Sequence, residues 1–248
     1  MFQFFTENGQ VRNGHAYITG SDVNHIRNVL RLKEGDPLQV IQEDDPHLYL
    51  CRILQTGEDC VDCIVEEKRE SETELPVKVI LFQGLPKGDK MEWILQKCVE
   101  LGVHEIVPVS TKNTVVKLDA KKAAGKVNRW NAIAQAAAKQ AKRGIVPKVH
   151  PPVSFVEAVS MMRETDVALI AYEHADMDQM AETRELFSTI RKGQTVGVFI
   201  GPEGGFTPEE VELAMQSGIR SVTLGRRILR TETAGMTVMS WLVYVLEK

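Results

Sequence analysis

The first seventy residues carry short apolar or alternating segments of the kind that form half-buried strands. They lie at residues 15–19, 38–42, 48–54 and 61–66. Turn signals separate them, among them Glu34-Gly35-Asp36-Pro37 and Thr56-Gly57-Glu58-Asp59. One helix interrupts the series. It starts at Ser21 or Asp22, both good N-cap residues, and carries Val23, Ile26, Val29 and Leu30 on one face. The pattern predicts a small β-barrel with one helix. Residues 66–74 are charged and almost free of apolar side chains, so they read as a linker. The expected boundary falls near residue 72, giving domains 1–72 and 73–248.

After Pro76 the pattern changes to alternating strand and helix. Residues 77–82 form a buried-strand run, and Met91, Ile94, Leu95, Cys98 and Val99 mark a helix that Gly102 closes. A strand at 106–109, an alanine-rich helix at 129–142 and strands at 166–172, 195–200 and 221–224 follow, with helices between them and one at the end. This alternation predicts an α/β domain, a parallel sheet covered on both faces. Ligands of such sheets bind outside the carboxyl ends of the strands. Three loops leave such ends: Tyr172-Glu173-His174, Gly201-Pro202-Glu203-Gly204-Gly205-Phe206, and Gly225-Arg226-Arg227-Ile228-Leu229-Arg230.

A chain of 248 residues with 43% hydrophobic content can bury a core of one large or two small domains. No run is long and apolar enough for a membrane span, and the start of the chain lacks the basic leader of a secretory signal. Four scattered cysteines suit a reducing cytosol, and the expected location is cytoplasmic. The net charge of −4 argues against a nucleic-acid partner, but its distribution argues the other way. Residues 112–148 hold ten Lys or Arg against one acid, Asp119, and residues 220–230 hold four arginines and no acid. Segregated charge of this kind can face phosphates, although it can also be a pair of solvated helix faces. Cys60 and Cys63 have C-x₂-C spacing near His47 and Cys51, but positions i and i+3 of a strand point to opposite faces, so no metal is expected. Trp93, Trp130 and Trp241 fall on predicted helices, where packing is the default.

The glycine-rich turn after residues 195–200 is the most informative loop. Thr207-Pro208-Glu209-Glu210 opens the next helix as a capping box with proline at its first position. The spacing matches neither GxGxxG nor a P-loop, and Glu203 would repel a phosphate. A carboxylate suits ribose hydroxyls, an amine or a sulfonium, which favours a nucleoside cofactor without phosphates, S-adenosylmethionine above all. The alternative is a turn whose glycines only make it tight. In the third loop, Arg230 precedes Thr231, the expected N-cap of the last helix. Arginine there can clamp a phosphate, stabilise charge on a substrate base, or merely cap neighbouring carbonyls.

Several motifs in order resemble the 16S rRNA (uracil-N3)-methyltransferases, the RsmE family. Residues 224–234 match LGxRILRxETA, and residues 201–207 match the GPEGGF turn with its threonine. Leu85-Pro86-Lys87-Gly88-Asp89-Lys90-Met91-Glu92, Gln96-Lys97 and Glu100-Leu101-Gly102-Val103 match the family's first helix region. Arg129-Trp130, Gln140, Arg143 and Pro147 fall on its RW…Q..R…P pattern, and His25-Ile26-Arg27, Val29-Leu30-Arg31 and Gly35-Asp36 on its N-terminal one. Ala136, Ala141-Lys142 and Asn113 depart from it, which bears on RNA contacts rather than on the reaction. The resemblance implies a SPOUT domain with a C-terminal trefoil knot, a PUA-like RNA-binding barrel before it, and a homodimer with the site at its interface. It implies methylation of N3 of a uridine in the decoding region of 16S rRNA within the 30S subunit. The expected catalytic residues are Arg230, stabilising the uracil anion, and Glu232 as base, with Glu203 second. Ile200, Gly201, Glu203, Gly204, Leu224, Ile228 and Leu229 are expected at the cofactor, and Arg27, Arg31, Lys87, Arg129 and Arg143 at RNA. The rivals are a SPOUT enzyme acting on ribose 2′-OH or tRNA, a ribosome-assembly factor without catalysis, and a nucleotide-binding α/β protein.

Overall fold

The computed structural model describes residues 1–43, 45–116, 120–172 and 179–247. Two compact units account for them, Met1–Glu74 with Ala138–Val146, and Leu75–Ala137 with Pro147–Lys248.

In the first unit the chain runs through β1 (Gln3–Thr6), β2 (Val11–Arg12), β3 (His15–Thr19), α1 (Ser21–Asn24), β4 (Pro37–Gln42), β5 (His47–Thr56) and β6 (Cys60–Glu70). The six strands form one sheet in the order β1-β4-β5-β6-β3-β2. Only the β1–β4 pairing is parallel. Phe4 of β1 and Ile18 of β3 share a buried core with Leu38, Val40, Ile53 and Val61, so the sheet curls until strands from both its ends face one interior. Two register shifts in the long β5–β6 hairpin, at Leu50/Cys51 and Ile53/Gln55, assist that curl.

Three local expectations change here. Residues 66–70, read as linker, extend β6, because their backbone pairs with β5 as far as His47 opposite Glu70. Their charged side chains merely face water, as on any solvated strand. The helix starts after Gly20, not on a Ser21 or Asp22 side-chain cap. It then widens into a π-helical turn at His25–Val29, closed by the Leu30 N–H on the His25 carbonyl at 2.9 Å. The wider turn breaks the 3.6-residue phase, so Ile26 stays buried while Val29, expected on the same face, is 61% exposed.

The second unit contains β7 (Lys78–Gly84), α2 (Lys90–Glu100), β8 (Glu105–Ser110), α3 (Ala120–Gln140), β9 (Lys148–Val149), β10 (Val153–Ser154), α4 (Phe155–Met162), β11 (Val167–Ala171), α5 (Gln179–Ser188), β12 (Thr195–Ile200), α6 (Pro208–Gln216), β13 (Arg220–Val222) and α7 (Thr231–Leu246). The end of α3 belongs by its packing to the first unit. The sheet order is β10-β8-β7-β12-β11-β13, with β9 beside β8, and every pairing is parallel. The two-residue strands β9 and β10 are too short to leave a periodic signal, and α3 begins well before the expected 129. Gly102 ends α2 as predicted: its φ is 92°, and Val103 N–H reaches the Cys98 carbonyl at 3.0 Å. On one face of the sheet Phe199 is the hub of an aromatic cluster, with Phe82 and Phe155 rings each 5.2 Å away and Phe206 at 5.9 Å. Phe206 therefore fastens the end of the glycine-rich turn to the core. Among the described residues no helix is long and apolar enough to cross a membrane.

Candidate active site

The carboxyl ends of β11, β12 and β13 open onto one cavity of about 360 Å³. Its walls come from Ala171 and Tyr172, from the turn after β12, and from the whole run Thr223–Thr231. Glu173 and His174, which the sequence grouped with Tyr172, lie outside the described residues.

Each wall is braced locally. The turn closes with the Gly205 N–H on the Pro202 carbonyl at 2.9 Å, and Asn113 Nδ2 donates to the Gly204 carbonyl at 2.8 Å. Thr207 and Glu210 form the expected capping box of α6, with Pro208 first in the helix. Glu210 also accepts the Lys112 N–H at 2.8 Å, tying the loop after β8 to this corner. In the third loop Thr223 N–H donates to the buried Thr183 hydroxyl at 3.2 Å, and Gly225 takes φ 106°.

The cavity brings together Ile200, Gly201, Glu203, Leu224, Ile228, Leu229 and Arg230. It leaves out two expected residues. Gly204 does not line it and instead lies against Asn113. Glu232 does not line it either, and its Oε2 is buried with no partner among the described residues. Ile228 is 83% exposed, so its side chain stands at the rim. Thr231 is not the N-cap of α7. That position falls to Arg230, which makes no side-chain capping bond, and Thr231 Oγ1 instead donates to the Gly201 carbonyl at 2.6 Å.

Glu203 is less free than its sequence position implies. Its carboxylate accepts from Lys90 Nζ at 2.7 Å and from the Lys87 N–H at 3.1 Å. Partial burial pushes its carboxyl up, but Lys90 and the backbone N–H groups of Glu203 and Lys87 carry it below the ordinary glutamate value. It is therefore ionised at neutral pH and keeps an open edge, with 29% of the side chain exposed.

Arg226, Arg227 and Arg230 are exposed at the rim, and none pairs with a carboxylate among the described residues. Among the other basic candidates, Arg27, Arg129 and Arg143 have side-chain partners. In the first unit Arg27 donates to the Gly57 carbonyl at 2.9 Å, and exposed Arg31 sits at φ 54°. In the second, Lys87 is exposed and Arg129 grips Glu92 through two bonds of 2.7 and 2.8 Å. Arg143 is a correction. It is 2% exposed, with Nε on Glu74 at 2.9 Å, and an enclosed, paired guanidinium cannot reach a phosphate. Sequence reasoning placed Tyr172 at a strand end facing the site but missed Lys90 in its wall and Asn113 as a brace of the glycine-rich turn. Burial pushes the Cys51 and Cys63 thiols up to about 12, as for small side chains enclosed in an apolar core.

Gly84, at the end of β7, has no room for a side chain: a Cβ would stand 2.6 Å from the Pro202 nitrogen. Gly84→Ala is expected to displace the glycine-rich turn at a cost of ~1–3 kcal/mol, read as weaker ligand binding with a modest fall in melting temperature. Unchanged binding in a folded variant would mean that the turn is not part of the site.

Apolar walls, strand-end backbone, a held carboxylate and arginines without a carboxylate partner among the described residues meet at the carboxyl edge of a parallel sheet, and with the β-rich first unit they suit an RNA methyltransferase. A family model described as an RNA methyltransferase domain matches residues 73–243, and one described as an RNA methyltransferase PUA domain matches residues 18–66. Ribosomal RNA small subunit methyltransferase E of Bacillus subtilis is 41% identical over 232 residues, which is 93% of this chain and 90% of that protein. The chain belongs to the ribosomal RNA small subunit methyltransferase E (RsmE) family. A crystal structure of that methyltransferase from Neisseria gonorrhoeae, bound to S-adenosyl methionine, superposes with a TM-score of 0.85 at 28% identity, covering 99% of this chain and 98% of that one. A methyltransferase from Legionella pneumophila, in complex with the cofactor SAM, gives a TM-score of 0.83 at 30% identity, covering 98% and 97%.

Proposed function

We propose that this protein methylates N3 of a uridine in the decoding region of 16S rRNA, using S-adenosylmethionine and acting in the cytoplasm on the 30S subunit as a homodimer. The observation that carries the reading is the cavity itself, in which three arginines without carboxylate partners among the described residues share a rim with an ionised glutamate. Arginines suit an RNA phosphate or a base acquiring negative charge, and the glutamate suits a cationic or hydroxyl-bearing ligand. The cofactors in the Neisseria and Legionella structures support the same assignment.

The residues present fit that donor. A cavity of about 360 Å³ is within the usual range for small-molecule sites. Ile200, Leu224 and Leu229 supply apolar wall for the nucleoside, Gly201 supplies backbone, and the open edge of Glu203 supplies a partner for hydroxyls or an amine. When bound, S-adenosylmethionine supplies a methyl group on a cationic sulfur. The chain in turn must hold the uracil ring in line and deal with the proton on N3. Arg230 stabilises the anion as that proton leaves, and Glu232, Glu203 or a water accepts it. The first domain, 1–72, adds RNA contacts through Arg27 and Arg31, while Lys87 and Arg129 add them from the second, 73–248. The C-terminal chain around the site is knotted, and a second copy completes the site.

The test is transfer of labelled methyl groups to 30S subunits lacking the modification, followed by nucleoside analysis. The expected product is 3-methyluridine. A 2′-O-methylated nucleoside, or transfer to tRNA alone, would replace this reading with another SPOUT activity.

A further inference from the structure

Two buried side chains and a half-buried carbonyl at the cavity wall make one directed chain. Gln83, the penultimate residue of β7, is 0% exposed, and Thr231, the first residue of α7, is 5% exposed. The Thr231 hydroxyl has one hydrogen and spends it on the Gly201 carbonyl at 2.6 Å. It can therefore only accept from Gln83, whose Nε2 lies 2.9 Å away. The second hydrogen of that amide goes to the Gly84 carbonyl, also at 2.9 Å. Both hydrogens of the amide are used and its orientation is fixed. The amide oxygen is left facing α7, close to Gly235, with no partner among the described residues.

A buried amide with an unpartnered oxygen is disfavoured relative to an apolar side chain of the same size, unless its donors do something an apolar group cannot. Here one donor holds the end of β7 directly and the other, through the Thr231 hydroxyl, the end of β12. Gln83 and Ile200 are opposite each other in the β7–β12 pairing, so Gly84 and Gly201 are the first residues beyond that pair. Through Thr231 the same chain fixes the residue that follows Arg230. The separation between the glycine-rich turn and the arginine loop is thus set by three hydrogen bonds, two of them fully buried and the third, from Thr231 to Gly201, at the cavity wall.

We propose that Gln83 and Thr231 are positioning residues for the methyl donor. Their relay holds the Gly201 carbonyl and the start of α7 in place, so the two loops that grip the donor are already at the right spacing before it binds. The inference rests on the functional reading above and adds residues that line or back the cavity without belonging to its catalytic groups.

The test compares wild type with Thr231→Val, Thr231→Ser, Gln83→Leu and the Gln83→Leu/Thr231→Val pair. The dissociation constant of S-adenosylmethionine is measured by calorimetry beside the melting temperature. Losing one neutral hydrogen bond that orders the site should weaken binding about fivefold to tenfold in Thr231→Val. Thr231→Ser, which keeps the hydroxyl, should stay within about twofold of wild type. Gln83→Leu should lose about threefold, and the double variant should be no weaker than Thr231→Val, because both changes cut one relay. Wild-type affinity in Thr231→Val, failure of serine to rescue, or losses that multiply in the double variant would each overturn the proposal. Should Thr231→Val not fold, Gln83→Leu decides, and unchanged affinity there rejects the relay. Absence of binding by the wild type would reject the choice of donor instead, a separate failure.

Discussion

Replacing Arg230 by alanine should slow methyl transfer ~10²–10³-fold while leaving the fold intact, because it removes the group expected to face charge developing on the base. The geometry makes this a clean substitution. Arg230 is the residue before α7, with extended backbone at φ −65° and ψ 152°, and its side chain makes no capping bond. Truncation therefore costs the helix no cap, and stability should move by no more than ~0.5 kcal/mol, as for other surface changes. Arg230→Lys keeps the charge but loses the planar fork, so turnover should fall between the two. Single-turnover kinetics with saturating donor is the measurement. A residual rate within a fewfold of wild type for Arg230→Ala would assign the guanidinium to RNA docking rather than to chemistry. Glu232→Gln belongs to the same experiment. If Glu232 takes the N3 proton, turnover falls ~10²–10⁴-fold. Near-normal turnover would leave its carboxylate as a favourable charge in the first turn of α7.

The second large effect concerns stability. Glu74→Ala should destabilise the first unit by ~3 kcal/mol, the lower end for breaking a buried ion pair. The lower end applies because a quarter of the Glu74 side chain is exposed, whereas Arg143 is enclosed. Glu74 does more than neutralise the guanidinium, since it also accepts the Gly144 N–H at 2.8 Å. Two further bonds tie the same segment, from Gln3 Nε2 to the Arg143 carbonyl at 2.6 Å and from the Thr73 hydroxyl to the Lys142 carbonyl at 3.0 Å. Thermal unfolding should show the loss, and exchanging both partners for apolar residues of similar size should recover much of it. If Arg143→Ala instead left stability untouched and weakened RNA binding, the pair would be incidental and the arginine a true RNA contact.

What the sequence determined is what local chemistry writes. Capping at Thr207, the left-handed stop at Gly102 and the β-strand at residues 195–200 each depend on neighbours a few positions away, so their residues announce them. The two loops of the site were legible for the same reason: strand, glycine turn and helix start follow one another in order. Tertiary structure decided the rest. Arg143 and Glu74 are 69 positions apart, Lys90 and Glu203 are 113 apart, and Gln83 and Thr231 are 148 apart. No window of sequence contains such a pair, so a basic residue in a basic stretch looked like a surface contact until its carboxylate was found beside it. The π-helical turn hid Val29's direction in a related way, because a change of helical phase leaves the apolar pattern itself unaltered. Hydrophobic periodicity reports which face a residue prefers, and only the packed chain fixes which partner meets it there.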